Sequence, residues 1–275
     1  MSLTTSVVTA TLNMGRYLRE TLDSVLANLR PGDEYFVIDG GSTDGSVELI
    51  RGYADRLTGW VSEPDRGYAD ALAKGFAKAT GDILCWINAG DLLLGGALEA
   101  AREALTMTGA DMIFGDDFYI DESGKVISRS RGYVRDLRAA MLYGGWTPLQ
   151  DACFWRRSLH ERVGGIDTGL RHAADYDLFL RFALAGRAKY VPKAFSAFRR
   201  HPGQKSIAQS DDYRRERAFC RRAQLRELGT SSAQATALSL VHGLSVRWRV
   251  HVAQRFWRRR DLEGRPVVEL TCREY

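Results

Sequence analysis

Tyr35-Phe-Val-Ile-Asp39-Gly-Gly-Ser-Thr-Asp44-Gly45 joins an apolar run to two acids set among glycines and small hydroxyl residues. Val37 and Ile38 suit a buried strand, Gly40, Gly41 and Gly45 permit an abrupt exit, and Ser46 with Glu48 can start a helix. A strand that ends in carboxylates at the mouth of a loop is where ligands bind in an open α/β sheet. Two neighbouring segments repeat the arrangement. Gly81-Asp-Ile-Leu-Cys-Trp-Ile-Asn88-Ala-Gly90-Asp91 is a second apolar run stopping at polar groups, and Glu63-Pro-Asp-Arg66-Gly67 turns into an amphipathic segment that carries Asp70 and Lys74. Three successive loops are therefore predicted to place acids along one rim.

The pattern extends on both sides. Strands are predicted at 5–10, near 35–39, 58–61 and 82–88, and at 111–115, with helices at 16–28 and near 46–55, 68–79 and 95–107. Their alternation argues for a mainly parallel sheet with helices on both faces. Asp121-Glu-Ser-Gly124 predicts a hairpin turn, 144–150 a loop, 152–155 a short strand, 174–185 a helix beginning near Asp175, and 211–229 a charged helix. At 244–257 helical and strand spacings compete, and helix is favoured because its neighbours are helical.

Composition bounds the function. The 275 residues, 45% of them hydrophobic, suffice for one large α/β domain with a helical extension. Cys85, Cys153, Cys220 and Cys272 form no CxxC pair, which points to reduced thiols and against a zinc site or a disulfide framework. Neither a signal peptide nor an apolar run near the roughly 18 residues of a membrane span is read, so a cytoplasmic protein, soluble or peripheral on the inner face of a membrane, is expected. Of the net +5, residues 199–275 hold +9 (17 Lys and Arg against 8 Asp and Glu) and residues 1–198 hold −4 (22 against 26). The basic tail suggests contact with an anionic membrane surface through 244–260; nucleic acid is not expected as a partner.

The ordered set Thr9-Ala-Thr11-Leu-Asn13, Asp39-Gly-Gly-Ser-Thr-Asp44-Gly-Ser, Glu63-Pro-Asp-Arg66-Gly, Asn88-Ala-Gly90-Asp91 and Asp175-Tyr-Asp177 resembles family 2 glycosyltransferases of the GT-A fold over roughly residues 4–206. Residues 207–275 lie beyond the resemblance and read as a basic helical extension; the resemblance itself implies a Rossmann-like, mostly parallel sheet flanked by helices. Within the catalytic domain, 1–206, it implies a nucleotide-sugar half at 1–115 and an acceptor and catalytic-base half at 116–206. It further implies inverting transfer from a nucleotide diphosphate sugar, UDP or dTDP favoured, to a glycan or lipid-linked hydroxyl, assisted by Mg²⁺ or Mn²⁺. Asp175 is the implied base. Thr9, Thr11, Asn13, Asp39, Arg66, Asp70, Asn88, Gly90, Asp91, Trp146 and Gln150 are the implied donor contacts, with Asp91 and His201 on the metal and Arg66, Arg199 or Arg200 beside the leaving group.

Asp175 and Asp177 look like a chelating pair, but two positions on a helix are about 200° apart, so separate roles are expected. Gly90, where many relatives carry an acid, and Ala174, where an acid often precedes the base, are the departures from the pattern. They leave open a degenerate fold kept as a binding or scaffold subunit. A nucleotidyltransferase making nucleotide sugars is the other alternative, disfavoured because no glycine-rich phosphate loop follows the first strand.

Overall fold

The computed structural model describes residues 3–202, 210–231, 233–242 and 262–272. Strands β1 (Thr5–Thr11), β2 (Glu34–Asp39), β3 (Gly59–Ser62) and β4 (Ile83–Trp86) are connected through helices α1 (Gly15–Leu26), α2 (Ser46–Gly52) and α3 (Tyr68–Phe76). They lie parallel in the order β3-β2-β1-β4. This is the α/β arrangement that the alternation predicts.

Beyond β4 the sheet becomes mixed. After β5 (Leu92–Leu93) and α4 (Ala97–Thr108), β6 (Met112–Ile120) pairs with the hairpin strand β7 (Val126–Ser130), with β8 (Cys153–Arg156) in antiparallel register, and with β9 (Ala188–Arg199) in parallel. The remaining helices are α5 (Leu137–Leu142), α6 (Arg157–Arg162), α7 (Ala174–Ala185) and α8 (Ser210–Glu227). β9, for which no strand is predicted above, carries Pro192, a residue that disfavours a strand within a sheet. The sheet absorbs that proline by shifting register: Phe114 pairs with Tyr190, but Asp116 pairs with Ala194.

Alternation along the central strands builds two cores. Val7, Tyr35, Val37 and Cys85 pack beneath α1, α2 and α4, whereas Val8, Phe36, Ile38, Leu84 and Trp86 pack beneath α3, α5 and α7. Cys220 and Leu225 of α8 join the second core, so this helix is seated on the α/β body rather than projecting from it. The ambiguous 244–257 stretch and the membrane surface expected at 244–260 lie outside the described residues. Among the described residues no helix is long and apolar enough to cross a membrane.

Gly75 sets the distance between α3 and the sheet, because a Cβ there would stand 2.4 Å from Val8 Cγ1. Gly75→Ala is expected to destabilise the protein by about 1–3 kcal/mol through overpacking. Urea unfolding checks this, and a wild-type midpoint would contradict it.

Candidate active site

Because β1 to β4 run parallel, Thr11, Asp39, Ser62 and the 87–91 loop all emerge at one edge of the sheet. Asp39 is fully buried. Its Oδ2 accepts the Gly41 and Ser42 N–H groups at 3.0 and 2.9 Å and the Ser62 hydroxyl at 2.7 Å, and Oδ1 accepts the Ser42 hydroxyl. A carboxylate has about four acceptor sites, so Asp39 holds its own loop with its full capacity. Asp44 ties two helix starts together: it accepts the Gly15 N–H at 2.8 Å and the Ser46 N–H and hydroxyl at 3.1 and 2.6 Å. Burial works against its ionisation, yet these bonds outweigh it and hold its pKa below the usual value. Ser46 is the first residue of α2, where the sequence expects the helix to start.

Asn13 adopts a left-handed conformation, φ 53°, which asparagine tolerates. Its Oδ1 accepts the Thr43 N–H at 2.9 Å and its own N–H donates to Ser42 Oγ at 2.7 Å, stitching the 11–15 loop to the 40–45 loop. Thr9 departs from its expected role. Its hydroxyl is buried in the core and paired with Tyr35 Oη at 2.9 Å, on the same strand face as Thr11 but further inside the sheet. Thr11, one pleat further on, has a buried hydroxyl without a partner. Asp70 is held by Arg66 at 2.9 Å and Lys74 at 3.4 Å, and Lys74 also meets Glu63 at 2.7 Å. The Arg66 bond keeps the Asp70 pKa low.

The 88–91 turn closes on itself through the Asp91 N–H donating to the Asn88 carbonyl at 3.0 Å. Gly90 has φ 109°, its N–H donates to Thr21 Oγ1 at 2.9 Å, and a Cβ would meet Met14 Cε at 3.1 Å. Glycine suits that position, and an acid there would strain the turn. Asp91 is buried, and Oδ1 accepts the Arg199 N–H at 3.0 Å. Burial, and then the charge of Asp151, push its pKa well above the usual range.

Two acids that the sequence reading passes over complete this region. Asp117 on β6 and Asp151 beside Gln150 are wholly buried, and their pKa values are raised by burial, that of Asp151 to about 6. Asp117 receives the Ser196 hydroxyl at 3.0 Å on Oδ1, whereas its Oδ2, both Asp151 oxygens and the Gln150 amide have no hydrogen-bond partner. An acid in the middle of an apolar strand, Phe114-Gly-Asp-Asp117-Phe118, was the available signal. Trp146 is half-buried and tilts against Phe114 at 6.0 Å, so much of it serves the second core.

Asp175 begins α7, as expected. Oδ1 accepts the Tyr176 N–H at 2.7 Å and Tyr213 Oη stands 3.5 Å from Oδ2. Burial lifts its pKa to about 6, against the pull of the Tyr176 N–H, Arg217 and Tyr213. Asp177 faces elsewhere and accepts Arg181 Nε at 2.8 Å, so the two carboxylates have different partners. Arg199, a candidate beside the leaving group, is instead buried: Nε donates to the Gly90 carbonyl at 2.9 Å and Nη2 to Glu20 at 2.6 Å. Arg200 is exposed and lies over the Tyr119 ring at 4.1 Å.

The model of the family described as "Glycosyl transferase family 2" matches residues 6–164. The chain belongs to glycosyl transferase family 2. An uncharacterised glycosyltransferase of Mycobacterium tuberculosis is 35% identical over 186 residues, 66% of this chain and 69% of that protein. Among solved structures, S. aureus TarS 1-349 in complex with UDP aligns with a TM-score of 0.64 at 16% identity, over 87% of this chain and 70% of that one. The chain spans only 37% of a longer TarS chain. The mannosyltransferase PcManGT from Pyrobaculum calidifontis, in complex with GDP-Man and Mn²⁺, aligns at 0.61 and 23% identity over 92% and 71%. These likenesses show the GT-A fold.

Whether the family's divalent cation fits can be judged from the donor set. Among the described residues no three His, Cys, Asp or Glu side chains form a metal cluster. The residues fit a cation that takes one or two protein ligands and completes its shell with diphosphate and water, with Asp91 first. His201 lies two residues beyond Arg199, its ring 5.4 Å from that of Tyr17, which also packs under the Arg199 guanidinium at 4.9 Å. Burial lowers its pKa against the pull of Glu122, favouring the neutral, metal-binding imidazole.

Three buried acids within one another's field make the metal-free protein less stable than it would be with two. Asp151→Asn is expected to raise the melting temperature in EDTA at pH 7.5 by about 2–4 °C, the equivalent of roughly 1 kcal/mol. An unchanged or lower melting temperature would contradict the repulsion.

Proposed function

We propose that this glycosyltransferase inverts configuration as it moves a sugar from a nucleotide diphosphate sugar, UDP or dTDP favoured, to a hydroxyl of a glycan or lipid-linked acceptor. The observation that carries the reading is Asp175, a half-buried carboxylate on the first turn of α7 whose pKa of about 6 suits a general base at neutral pH. Relatives of known structure supply the donor class: TarS 1-349 has been solved with UDP-GlcNAc and PcManGT with GDP-Man.

The nucleoside lies against the loop that Asp39 organises. Three of the four bonds to Asp39 come from backbone N–H groups or from Ser62, but the fourth comes from the rotatable Ser42 hydroxyl. A base N–H or ribose hydroxyl reaches Asp39 by displacing it. Thr11, Asn88 and Gln150 offer further hydrogen bonds along the same edge, and the orphaned Gln150 amide is suited to a sugar hydroxyl. A divalent cation held by Asp91, with His201 as its second candidate ligand, supplies charge neutralisation for the diphosphate.

In the transfer itself the acceptor oxygen attacks the anomeric carbon while Asp175 takes its proton. The bond from that carbon to the diphosphate oxygen breaks, the nucleoside diphosphate departs with the electron pair, and the proton left on Asp175 returns to solvent. A front-side hydroxyl cannot follow this path, so configuration inverts.

Asp175→Asn is expected to lower kcat by about 10²–10⁴-fold while leaving nucleotide affinity within a few-fold, measured by single-donor turnover and calorimetry. With the wild-type protein, kcat should fall tenfold per pH unit below about 6, the pKa of Asp175, because the base is then protonated. Retained turnover in the variant, or a flat profile down to pH 5, would overturn the assignment.

A further inference from the structure

The helix that bears the base has no side-chain cap of its own. Its N-cap residue, Ala173, has no side chain to accept a hydrogen bond from the first turn, and the N–H groups of such an end need acceptors from elsewhere. The three residues that lead into α7 find theirs on α8. The Glu216 carboxylate accepts the N–H groups of Arg171, His172 and Ala173 at 3.1, 2.8 and 2.9 Å. Tyr68 of α3 adds a second brace, donating to the His172 carbonyl at 3.1 Å and accepting the Ala174 N–H at 2.9 Å. Ala174 is 1% exposed, so the acid that relatives often carry there would have no room here, and the negative charge at this helix end comes from Glu216 instead, where the helix dipole favours it.

The same face of α8 reaches the base and its surroundings. Tyr213 Oη is the side-chain donor 3.5 Å from Asp175 Oδ2. One turn on, Arg217 lies over the rings of Tyr176 and Tyr213 at 4.6 and 5.4 Å and donates to the Gly145 carbonyl at 2.6 Å, fastening the 144–150 loop. Three residues spaced 3 and 1 apart on one helix therefore hold the base's helix, its carboxylate and the neighbouring loop. α7 and α8 both lie beyond residues 6–164, which the family model matches.

We propose that α8 is a positioning element for catalysis, in which Glu216 fixes the start of α7 and Tyr213 orients the Asp175 carboxylate toward the acceptor hydroxyl. The inference rests on the reading of Asp175 as the base. The groups that act on Asp175 are the Tyr176 N–H on its own helix, Tyr213 and Arg217 from α8, Tyr68 from α3 and Cys153 from β8. Of these, the Tyr176 N–H, Arg217 and the Tyr213 hydroxyl favour its ionised form, the last two reaching it from α8.

Two readouts test this. In the nucleotide-free protein, Glu216→Ala is expected to speed amide hydrogen exchange in a peptide spanning 171–177, with Glu216→Gln falling between the variant and wild type; wild-type exchange in Glu216→Ala would overturn the clamp. In turnover assays, Tyr213→Phe is expected to lower kcat by about tenfold, as small misplacements of a base do, with donor KM within twofold, and to move the acid limb of the kcat profile to higher pH. An unchanged kcat and limb, or equal losses in kcat and donor affinity with the limb unmoved, would reduce α8 to scaffolding. Asp175→Asn run in parallel separates the two failures: if that variant still turns over, the base assignment fails, whereas an inactive Asp175→Asn beside an unaffected Tyr213→Phe defeats the positioning role alone.

Discussion

Arg199 is the constraint on which the site's architecture rests. A guanidinium with no exposure to solvent is tolerable only if its donors are met, and here they reach three separate segments. Nε binds the Gly90 carbonyl in the 88–91 turn, Nη1 binds the Asp121 and Glu122 carbonyls in the β6–β7 turn, Nη2 binds Glu20 on α1, and the backbone N–H binds Asp91. The end of β9 is thereby locked to the turn that presents the candidate metal ligand, and the lock fixes where His201 begins.

Around that lock the two halves of the chain divide the work. The parallel strands deliver loops to one edge and spend several of their acids on the loops themselves: Asp39 and Asp44 are held by backbone N–H groups, which makes the rim rigid before any ligand arrives. The second half brings Asp117 and Asp151 underneath Asp91 and raises Asp175 on a helix braced by α3 and α8. The contrast in electrostatics follows from this geometry. Asp44 and Asp70, supplied with donors and cations, sit below the ordinary carboxylate range, whereas Asp91, Asp151 and Asp175, buried with too few, sit above it.

How far the sequence could be read depended on how local each signal was. The strand-to-loop transitions at Asp39 and Asp91 and the helix start at Asp175 are written in contiguous residues, and period alone gave β1 to β4 and their helices in nearly the right places. Thr9 was misplaced because it shares a strand face with Thr11 and Asp39 but lies two residues deeper in the sheet, where Tyr35 takes its hydroxyl. β9 was hidden by Pro192, whose accommodation needs the register shift in β6. Asp151 and Glu216 carry no local mark at all: one acts through Asp91, 60 positions away, and the other caps a helix more than 40 residues earlier in the chain. Gly90 and Ala174, which look like erosion in one dimension, become requirements once φ and burial are known.

The account stands on a carboxylate-rimmed sheet edge that receives a nucleoside diphosphate together with a divalent cation. Thermal melting of the purified chain with UDP, dTDP, GDP and CDP, each with and without Mn²⁺, tests this most directly, since a ligand at about 100 times its Kd stabilises the native state by about 2.7 kcal/mol. The account predicts a rise in melting temperature with one nucleotide, dependent on Mn²⁺ and lost in Asp91→Ala. No rise with any nucleotide, in either condition, would contradict it.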